Sequence, residues 1–400
     1  MEDLRIGVLG LGLRASLAKA AHRPGMGSVV AAICDTDPEA VKRHVDSFDD
    51  PVTCQDYREL LDRDDIDAIL VVTPDDTHEA MAVDCLSAGK AVYLEKPMHI
   101  TIEGCDTILR AARDTGTRLY VGHNMRHMGV VRLMREIIQK GVIGEPKTIW
   151  VRHFVSYGGD YYFKDWHAER ERTTGLLLQK AAHDLDVVHW LAGGYTERVN
   201  AFGDLMVYGD LPRRAPGTPR PEGWLREFDW PPTQRRDLNH RIDVEDLSVM
   251  NMRLDNGVIA AYQQCHFSPD YFRNYTVIGT EGRLENFGDR PGDTVKVWNT
   301  GPTAYRDDCD IAYKVPEALG THGGADHHII AEFCRFVREG GQTDTSPVAA
   351  RMSVAAGYMA TLSLRNGGTP YEVPSLDPEL VAYFDGGQPA SERPIPHEKG

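Results

Sequence analysis

Short apolar runs separated by amphipathic segments fill the first 124 residues. We predict strands at residues 6–9, 29–33, 68–72, 91–94 and 119–121. Helix signals lie between them: Asp37-Pro38 places a capping residue before a helix-opening proline, Asp75 or Asp76 can cap a segment that ends at Gly89, and Thr101 can cap one that ends at Gly116. Strands that alternate with helices are typical of βαβ units, so we predict a parallel, doubly wound Rossmann domain over residues 1–124.

The pattern changes after Asn124, where strand-like segments follow one another. Predicted strands cover residues 147–156, 198–206, 246–254, 258–266, 275–278 and 283–286, and predicted helices cover 128–140, 179–191, 327–338 and 349–364. Asp255-Asn256-Gly257 indicates a hairpin with a two-residue primed turn, because such a turn needs positive φ. We therefore expect residues 125–374 to form an α+β domain with a large open, mainly antiparallel sheet.

Two segments have neither a helical nor a strand-like pattern of apolar residues. Residues 208–241 are rich in proline and also contain Trp224, Phe228 and Trp230. Because aromatic residues are scarce in disordered tracts, we interpret this insertion as a lid or an oligomer arm. Residues 375–400 are expected to form an extended arm or a loose C-terminal tail.

Composition narrows the class of function. The chain has 400 residues, 42% of them hydrophobic and 26% charged, and a net charge of -16 at pH 7. This acidic balance argues against a nucleic-acid or membrane partner and favours a small, neutral or weakly charged substrate. The first strand begins too early for a signal peptide, and the seven scattered cysteines are typical of reduced thiols, so we expect a soluble cytoplasmic protein.

A glycine-rich loop follows the first predicted strand. Gly10-x-Gly12-x-x-Ala15 matches the G-x-G-x-x-G/A pattern, in which the backbone approaches a pyrophosphate at a helix start. Asp35 ends the next strand, where an acid can bind ribose hydroxyls and repel a 2′-phosphate. This favours NAD over NADP, although Arg14 or Arg43 could still reach the ribose.

Two further strand ends carry polar motifs. Thr73-Pro74, with His78 close behind, follows the strand at 68–72, and Glu95-Lys96-Pro97 follows the strand at 91–94. Ligands of doubly wound sheets lie outside the carboxyl ends of the strands. Both motifs are therefore predicted to lie at the cofactor edge.

With these motifs and a later helix start that contains His183, the chain resembles the Gfo/Idh/MocA oxidoreductase family. Glu95-Lys96-Pro97 is the most specific match, and the similarity extends over nearly the whole chain. The resemblance implies an N-terminal Rossmann domain, a C-terminal α/β domain with an open sheet, and a carbohydrate or cyclitol substrate. It also implies a homodimer or homotetramer that assembles through that sheet.

The resemblance assigns catalytic roles to Lys96, which would hold the reacting oxygen, and to His183, the candidate general base. Gln179 stands where the family usually has an aspartate, so His183 lacks one stabiliser of its cationic form, for which Lys180, Asp184 or Asp186 could compensate. A buried structural role for His183 stays open, as does an ordinary helix salt bridge between Lys180 and Asp184.

The predicted cofactor-binding residues are Gly10, Gly12, Leu13, Arg14, Asp35, Thr73, Pro74, His78, Glu95, Lys96 and Pro97. The predicted substrate-binding residues are Lys96, Asn124, Arg126, Tyr157, Trp166, Gln179, Lys180 and His183. The aromatic residues could form a wall against the sugar or belong to the core. Weaker candidates are His266, Tyr271 and Arg273, and the group His322, Asp326, His327 and His328 lacks a matched ligand set, so no metal is expected.

The leading hypothesis is an NAD-dependent oxidoreductase that transfers a hydride between NAD and a hydroxyl carbon of a sugar, glycoside or cyclitol. An alternative is an NAD-assisted glycoside hydrolase or lyase that oxidises the sugar only transiently, which the Gln179 departure makes credible. A second alternative is a non-catalytic nucleotide-sensing regulator, against which the presence of Lys96 and His183 argues.

Overall fold

The computed structural model describes residues 2–155, 160–219, 230–317 and 324–388. The chain divides into two compact units. Unit 1 comprises Met1–His127, Gly320–Arg351 and Leu376–Gly400, and unit 2 comprises Met128–Leu319 and Met352–Ser375. The domain boundaries predicted at residues 124 and 374 stay predictions.

The elements are numbered along the chain. The strands are β1 Leu4–Leu9, β2 Ser28–Cys34, β3 Val52–Cys54, β4 Ala68–Val71, β5 Ala91–Glu95, β6 Leu119–Gly122, β7 Pro146–Phe154, β8 Thr196–Asp204, β9 Leu247–Leu254, β10 Ile259–Cys265, β11 Phe272–Gly279, β12 Arg283–Phe287, β13 Thr294–Trp298, β14 Ile311–Lys314 and β15 Tyr371–Glu372. The helices are α1 Ala15–Ala21, α2 Pro38–His44, α3 Arg58–Leu61, α4 His78–Ser87, α5 Ile102–Thr115, α6 Gly129–Gln139, α7 Arg170–Thr173, α8 Leu176–Gln179, α9 Ala182–Ala192, α10 Ala325–Glu339, α11 Pro347–Arg365 and α12 Pro378–Asp385.

Unit 1 contains the predicted Rossmann sheet. In the described residues its strand order is β3-β2-β1-β4-β5-β6, and every neighbouring pair is parallel. Two of the predicted caps are confirmed: the Asp37 side chain accepts from the Glu39 N–H at 3.0 Å, and Thr101 accepts from Gly104 at 3.0 Å. The third was wrong, because Asp75 and Asp76 lie in a 3-10 turn and α4 begins at His78 without a side-chain cap. Strand β3 has three residues, too few for alternation to reveal it.

The core of unit 1 covers both faces of this sheet. Strand β4 is buried along its whole length, and Phe333 of α10 packs edge-on against the rings of Tyr93 and Tyr120. Helix α12 lies in the segment that we expected to be an extended or loose tail. For residues 375–388 that expectation was wrong, because Asp377 caps the helix and Leu380 and Phe384 are buried. Residues 389–400 lie outside the described residues.

Unit 2 is built on the predicted open sheet. Within the described residues the strand order is β14-β13-β12-β11-β7-β10-β9-β8-β15. Neighbouring strands are antiparallel except β7 and β10, which are parallel. The β9–β10 hairpin is confirmed, but its turn is longer than predicted. The Leu254 N–H bonds the Val258 carbonyl, so three residues form the loop and only Gly257 has positive φ, at +84°.

The helix predicted over residues 179–191 is interrupted. Helix α8 ends at Gln179 and α9 begins at Ala182, because the Leu176 carbonyl accepts from both the Lys180 and Ala181 N–H groups. Close packing occurs at the same place: a Cβ at Gly357 of α11 would lie 2.7 Å from the Leu177 carbonyl oxygen. Neither contact changes the pattern of apolar residues, so the break could not be predicted from the sequence.

The two ends of the 208–241 insertion are packed. The Tyr208 ring stacks on Phe163 at 4.1 Å between centroids, in a cluster that also holds Leu238, Ile242 and Val244. Trp224 and Phe228 lie outside the described residues, so the lid or arm stays a prediction. Across the described part of the chain, no helix has both the length and the apolar character needed to cross a membrane.

Candidate active site

The glycine loop between β1 and α1 has the backbone that its motif requires. Gly10 has φ +93°, and a Cβ there would lie 2.9 Å from the Val72 carbonyl oxygen, so a side chain would be strained and crowded. A Cβ at Gly12 would meet no atom within 4 Å, and Leu13 beside it is exposed. The loop is therefore open on the side where a pyrophosphate would lie.

Asp35 lies directly after β2 and holds this loop. Its Oδ2 accepts from the Leu11 N–H at 2.7 Å and its Oδ1 accepts from the Asp37 N–H at 2.9 Å. A carboxylate has about four acceptor positions, so two remain for ribose hydroxyls. The geometry fits the ribose of NAD.

The two arginines considered for a 2′-phosphate are each paired with acids. Arg14 lies 3.1 Å from Glu95 and 3.2 Å from Asp326, and Arg43 lies 3.4 Å from Asp37. Burial lowers the pKa of Arg14, but Glu95 and Asp326 oppose it and raise the pKa overall. Arg14 is thus a fixed cation beside the last residue of β5.

His78, at the start of α4, joins two of the predicted motifs. It is fully buried, with Nδ1 2.9 Å from the Pro97 carbonyl oxygen and Nε2 3.0 Å from that of Thr73. Burial lowers the pKa of His78 to about 4, although both carbonyls favour the cation. Because a neutral imidazole has a single N–H, His78 in this form donates to only one of the two carbonyls, and we infer that the buried ring packs between the Thr73-Pro74 turn and the turn that follows β5.

Lys96 follows β5 directly and is partly buried, and a cis peptide bond joins it to Pro97. Because all six strands are parallel, the residues after β1, β2, β4 and β5 lie at one edge of the sheet. The structure therefore places Gly10, Asp35, Thr73 and Lys96 at that edge.

Asn124 and Arg126 lie in a short 3-10 helix after β6 and are both buried. The Arg126 guanidinium donates to the Asp344 carbonyl at 2.8 Å. The same Asp344 is bound by Glu332 of α10, which accepts from the Asp344 N–H at 2.8 Å and from the Tyr120 hydroxyl at 2.6 Å. His127, Glu332 and Asp344 also offer possible metal-ligating atoms within 4.8 Å of one another. Because Glu332 joins Tyr120, His127 and the Asp344 N–H, we interpret this cluster as a support for the turn.

In unit 2, the predicted residues lie around the break between α8 and α9. Gln179 is buried, whereas Lys180 and His183 are partly exposed and three residues apart. The Lys180 ammonium lies 5.2 Å from the centre of the Tyr162 ring. No salt bridge of 4 Å or less joins Lys180 to Asp184, so the ordinary helix pair is wrong for the described structure.

Asp184 is instead the centre of a buried polar cluster. His153 Nδ1 and the Tyr262 hydroxyl lie 3.1 Å from its Oδ2, and Arg273 Nε lies 3.1 Å from its Oδ1, which also accepts from the Tyr275 hydroxyl. None of these side chains is more than slightly exposed. We name this group the Asp184 cluster.

Strand register explains the cluster. His153 of β7 is aligned with Arg273 of β11, and Tyr262 of β10 and Tyr275 of β11 are both aligned with Val151. Side chains two residues apart share a face of a sheet, so all four cluster partners point to the side that packs on α9.

The cluster is arranged as an ion pair. Burial alone would raise the pKa of Asp184, but Arg273 and the hydrogen bonds from His153 and Tyr275 lower it well below its ordinary value. Burial, with Arg273 beside it, lowers the pKa of His153 to about 3, so His153 is neutral. The carboxylate and the guanidinium therefore stay charged at neutral pH.

Trp166 lies in a 3-10 helix and stacks on His167 at 3.8 Å, while Tyr157 lies outside the described residues. From the sequence, Arg273 was only a weaker candidate, and His153, Tyr262 and Tyr275 were not predicted as site residues. Polar residues at inward positions of neighbouring strands were the available signal, but their alignment depends on the register.

Comparison with known proteins supports the architecture. A model described as "Oxidoreductase family, NAD-binding Rossmann fold" matches residues 4–123, and one described as "Oxidoreductase family, C-terminal alpha/beta domain" matches residues 135–373. A solved levoglucosan dehydrogenase, in complex with NADH and L-sorbose, has a TM-score of 0.74 at 18% identity over 94% of this chain and 100% of its own. At that identity the likeness shows the fold alone.

Curated relatives are more similar in sequence but match over less length. An inositol 2-dehydrogenase of Burkholderia multivorans (strain ATCC 17616 / 249) is 32% identical over 48% of this chain and 55% of its own length. A 1-carboxy-3-chloro-3,4-dihydroxycyclohexa-1,5-diene dehydrogenase of Comamonas testosteroni is 30% identical over 54% of this chain and 53% of its own. The chain thus spans about half the length of these relatives.

Proposed function

Because this chain belongs to the Gfo/Idh/MocA oxidoreductase family, we propose that it is an NAD-dependent dehydrogenase acting on a hydroxyl carbon of a sugar, glycoside or cyclitol. The observation that carries the proposal is the position of Lys96. It follows β5 at the same sheet edge as the open glycine loop and Asp35. A cation there suits a reaction that develops charge on oxygen.

The residues take the following roles in this proposal. Gly10, Gly12, Leu13 and the Thr73-Pro74 turn border the dinucleotide, and Asp35 binds its ribose. Arg14 and Glu95 form the ion pair beside it, and His78 positions the two turns. Bound NAD supplies the hydride acceptor or donor.

Lys96 donates a hydrogen bond to the reacting hydroxyl and stabilises the developing alkoxide. His183 accepts the hydroxyl proton, for which an imidazole is suited near neutral pH. Asn124, Arg126, Tyr157, Trp166, Gln179 and Lys180 are proposed to bind the rest of the substrate. Gln179 donates and accepts hydrogen bonds without adding charge.

The names of the relatives support the substrate class. Inositol is a ring polyol, and the Comamonas enzyme is named for a ring that carries two hydroxyls and a carboxyl group. A ring alcohol is therefore the proposed substrate core.

The test is a screen of purified protein with NAD against inositols, hexoses, sugar acids and glycosides, followed by NADH absorbance. Stoichiometric NADH formation is expected with at least one ring alcohol. Cleavage of a glycoside without net NADH would favour the transient-oxidation alternative that Gln179 suggests. NAD binding without turnover of any compound would favour the regulator.

We also propose that the open face of the unit 2 sheet forms the oligomer interface. Trp150, Phe202, Ile259 and Phe287 are all exposed there, at 39–60%. Their register places them on the face opposite the Asp184 cluster. Exposed large apolar side chains on one face indicate a protein interface. Sedimentation of Trp150→Glu should show smaller particles than wild type if a dimer or tetramer uses this face.

The cytoplasmic location stays a prediction. None of the seven cysteines forms a disulfide bond in the structure, and five of them are buried, which is compatible with the expected reduced thiols.

A further inference from the structure

Lys180 carries a positive charge at the break between α8 and α9. Its side chain is partly exposed, and its ammonium lies 5.2 Å from the Tyr162 ring centre. Within residues 2–155, 160–219, 230–317 and 324–388, that ammonium has no hydrogen bond and no ion pair. A partly buried lysine without an anionic partner releases its proton more readily, and a ligand that supplies the anion stabilises the ammonium form.

Two carboxylates, Asp184 and Asp289, act electrostatically on Lys180, and both are already bound to other side chains. One oxygen of Asp184 pairs with the Arg273 guanidinium and accepts from the Tyr275 hydroxyl, and the other lies 3.1 Å from both His153 and the Tyr262 hydroxyl, so both carboxylate oxygens are engaged. Asp289 accepts from the Tyr271 hydroxyl at 2.6 Å. Neither acid is within 4 Å of the Lys180 ammonium.

Apart from Asp184 in the first turn of α9, which the Asp184 cluster engages, the residues next to Lys180 in the sequence add no negative charge. Gln179 is an uncharged amide, and α9 begins at Ala182 without a side-chain cap at Ala181. The uncapped start of an 11-residue helix has partial positive charge, which adds to that of Lys180. His183 lies one turn along and is also partly exposed.

We propose that Lys180 binds a carboxylate group of the substrate, so that the site takes a sugar acid or cyclitol acid in preference to the neutral polyol. The proposal rests on the proposed dehydrogenase function and specifies its substrate class. A carboxylate suits a single ammonium, whereas a phosphate carries up to two charges and usually engages several cations. Arg273 cannot serve as the second cation because Asp184 holds it.

The electrostatics of Lys180 agree with a binding role. Burial, with Arg273 nearby, lowers the pKa of Lys180 to about 7, against the opposing effect of Asp184 and Asp289. A bound carboxylate would raise this pKa again, because an opposite charge favours the ammonium. Binding of the acid near pH 8 should therefore take up a proton from solution.

The experiment uses matched pairs that differ in the acid group: glucose with glucuronate, galactose with galacturonate, and inositol with quinate. Binding to the protein with NAD is measured by calorimetry, and turnover by NADH absorbance. Wild type should prefer the acid in at least one pair by about 100-fold in kcat/KM or affinity. Calorimetry in two buffers of different ionisation enthalpy should show the proton uptake.

Three variants separate the role of the charge from a role in folding. Lys180→Met should reduce the ratio of acid to neutral compound in kcat/KM or affinity by about 100-fold, and Lys180→Arg should keep most of that ratio. Lys140→Met, at an exposed surface pair with Glu136, is the matched control and should behave as wild type. Thermal unfolding of each variant shows whether it is folded.

The outcomes distinguish the two proposals. If wild type oxidises neutral polyols better than every acid, the carboxylate site is wrong and the dehydrogenase stands. An equal loss on acid and neutral compounds in Lys180→Met would also overturn it. If acids bind with the expected Lys180 dependence but no compound yields NADH, the carboxylate site stands and the dehydrogenase fails. Absence of acid binding in calorimetry refutes the carboxylate site.

Discussion

The sheets of the two units place their chemistry differently. In unit 1, strands β4, β5 and β6 are buried on both faces, and the candidate residues lie beyond the strand ends. In unit 2, strands β9 and β10 alternate between buried and exposed positions, and the charged residues lie on the inward face of the neighbouring strands. Candidate residues at strand ends can be predicted from local sequence motifs. Polar residues that meet on a sheet face cannot, because their contacts depend on which strands are neighbours.

The two arrangements also differ in what holds them. The glycine loop is held by backbone contacts such as the Gly10 N–H to the Cys34 carbonyl at 2.9 Å. The Asp184 cluster is held by a buried ion pair and hydroxyl groups. A buried ion pair contributes little net stability, but loss of one member leaves an uncompensated charge. Substitutions in unit 1 should therefore affect mainly turnover, and those in the cluster mainly stability.

The largest expected effect is at Lys96. Lys96→Met should lower kcat/KM by about 10⁴-fold, because one side chain both holds the oxygen and assists proton transfer. The affinity for NADH, measured by fluorescence, should change much less. Lys42→Met, an exposed lysine of α2, is the control. Turnover within tenfold of wild type would remove Lys96 from the mechanism.

Asp184→Asn should give the largest loss of folding stability. The free energy of unfolding should fall by about 3–5 kcal/mol, since Arg273 would remain buried without its counter-ion. Chemical denaturation measures this, with Asp210→Asn at an exposed site as the control. Asp184→Asn combined with Arg273→Met should cost less than the sum of the two single changes. Additive losses would contradict the ion pair.

His183→Ala should lower kcat by about 100-fold, as expected for the loss of a general base. NADH affinity should be nearly unchanged, and the protein should unfold at the wild-type temperature, because His183 is partly exposed. His189 is buried and hydrogen-bonds Thr196 at 2.7 Å, so the control His189→Ala should lower the unfolding temperature. Unchanged turnover would favour the structural interpretation of His183.

Asp35→Ala should weaken NAD binding by about tenfold and reduce the preference for NAD over NADP. The change removes the ribose contact and also the carboxylate that accepts from the Leu11 and Asp37 N–H groups. Titration with each cofactor measures both effects. Asp37→Ala is the matched control at the next acid. Tighter binding of NADP than NAD by wild type would overturn the cofactor assignment.

The smallest expected effect is in the pH dependence. Burial and Arg273 lower the pKa of Lys180 to about 7, while Asp184 and Asp289 oppose them and Tyr162 covers the ammonium. The ammonium form is lost as the pH rises through that value, so KM for a carboxylate substrate should rise roughly fivefold between pH 7 and pH 8 for a single titrating group. The neutral member of each pair should not show this rise, and Lys180→Arg should abolish it.

Much of unit 1 could be predicted because its signals are local. Residue pairs such as Asp37 with the Glu39 N–H lie within one turn of each other, and apolar runs mark buried parallel strands directly. The three-residue strand β3 and the capped helix α12 in the tail were not predicted. The site roles of Lys96 and His183 stay predictions that rest on the family resemblance.

Unit 2 was predicted less completely for a physical reason. The alternation of β9 and β10 indicated a half-exposed sheet, but β7 lies between β10 and β11, far from both in the sequence. His153 and Arg273 are 120 positions apart, and only the register brings both onto Asp184. The break at Lys180 likewise lies beside a contact between residues far apart in the sequence, the close packing of Leu177 against Gly357.

The amino-acid sequence by itself determined the Rossmann order of strands and helices, the open glycine loop and the acid that follows β2, because each depends on groups close together in the chain. Only the tertiary structure decided which charges are neutralised. It surrounds Asp184 with the Arg273 guanidinium, the His153 ring and two tyrosine hydroxyls from three strands, and it leaves Lys180 without an anion among the described residues. Charge pairing depends on distance in space, and strands that are far apart in the sequence set that distance.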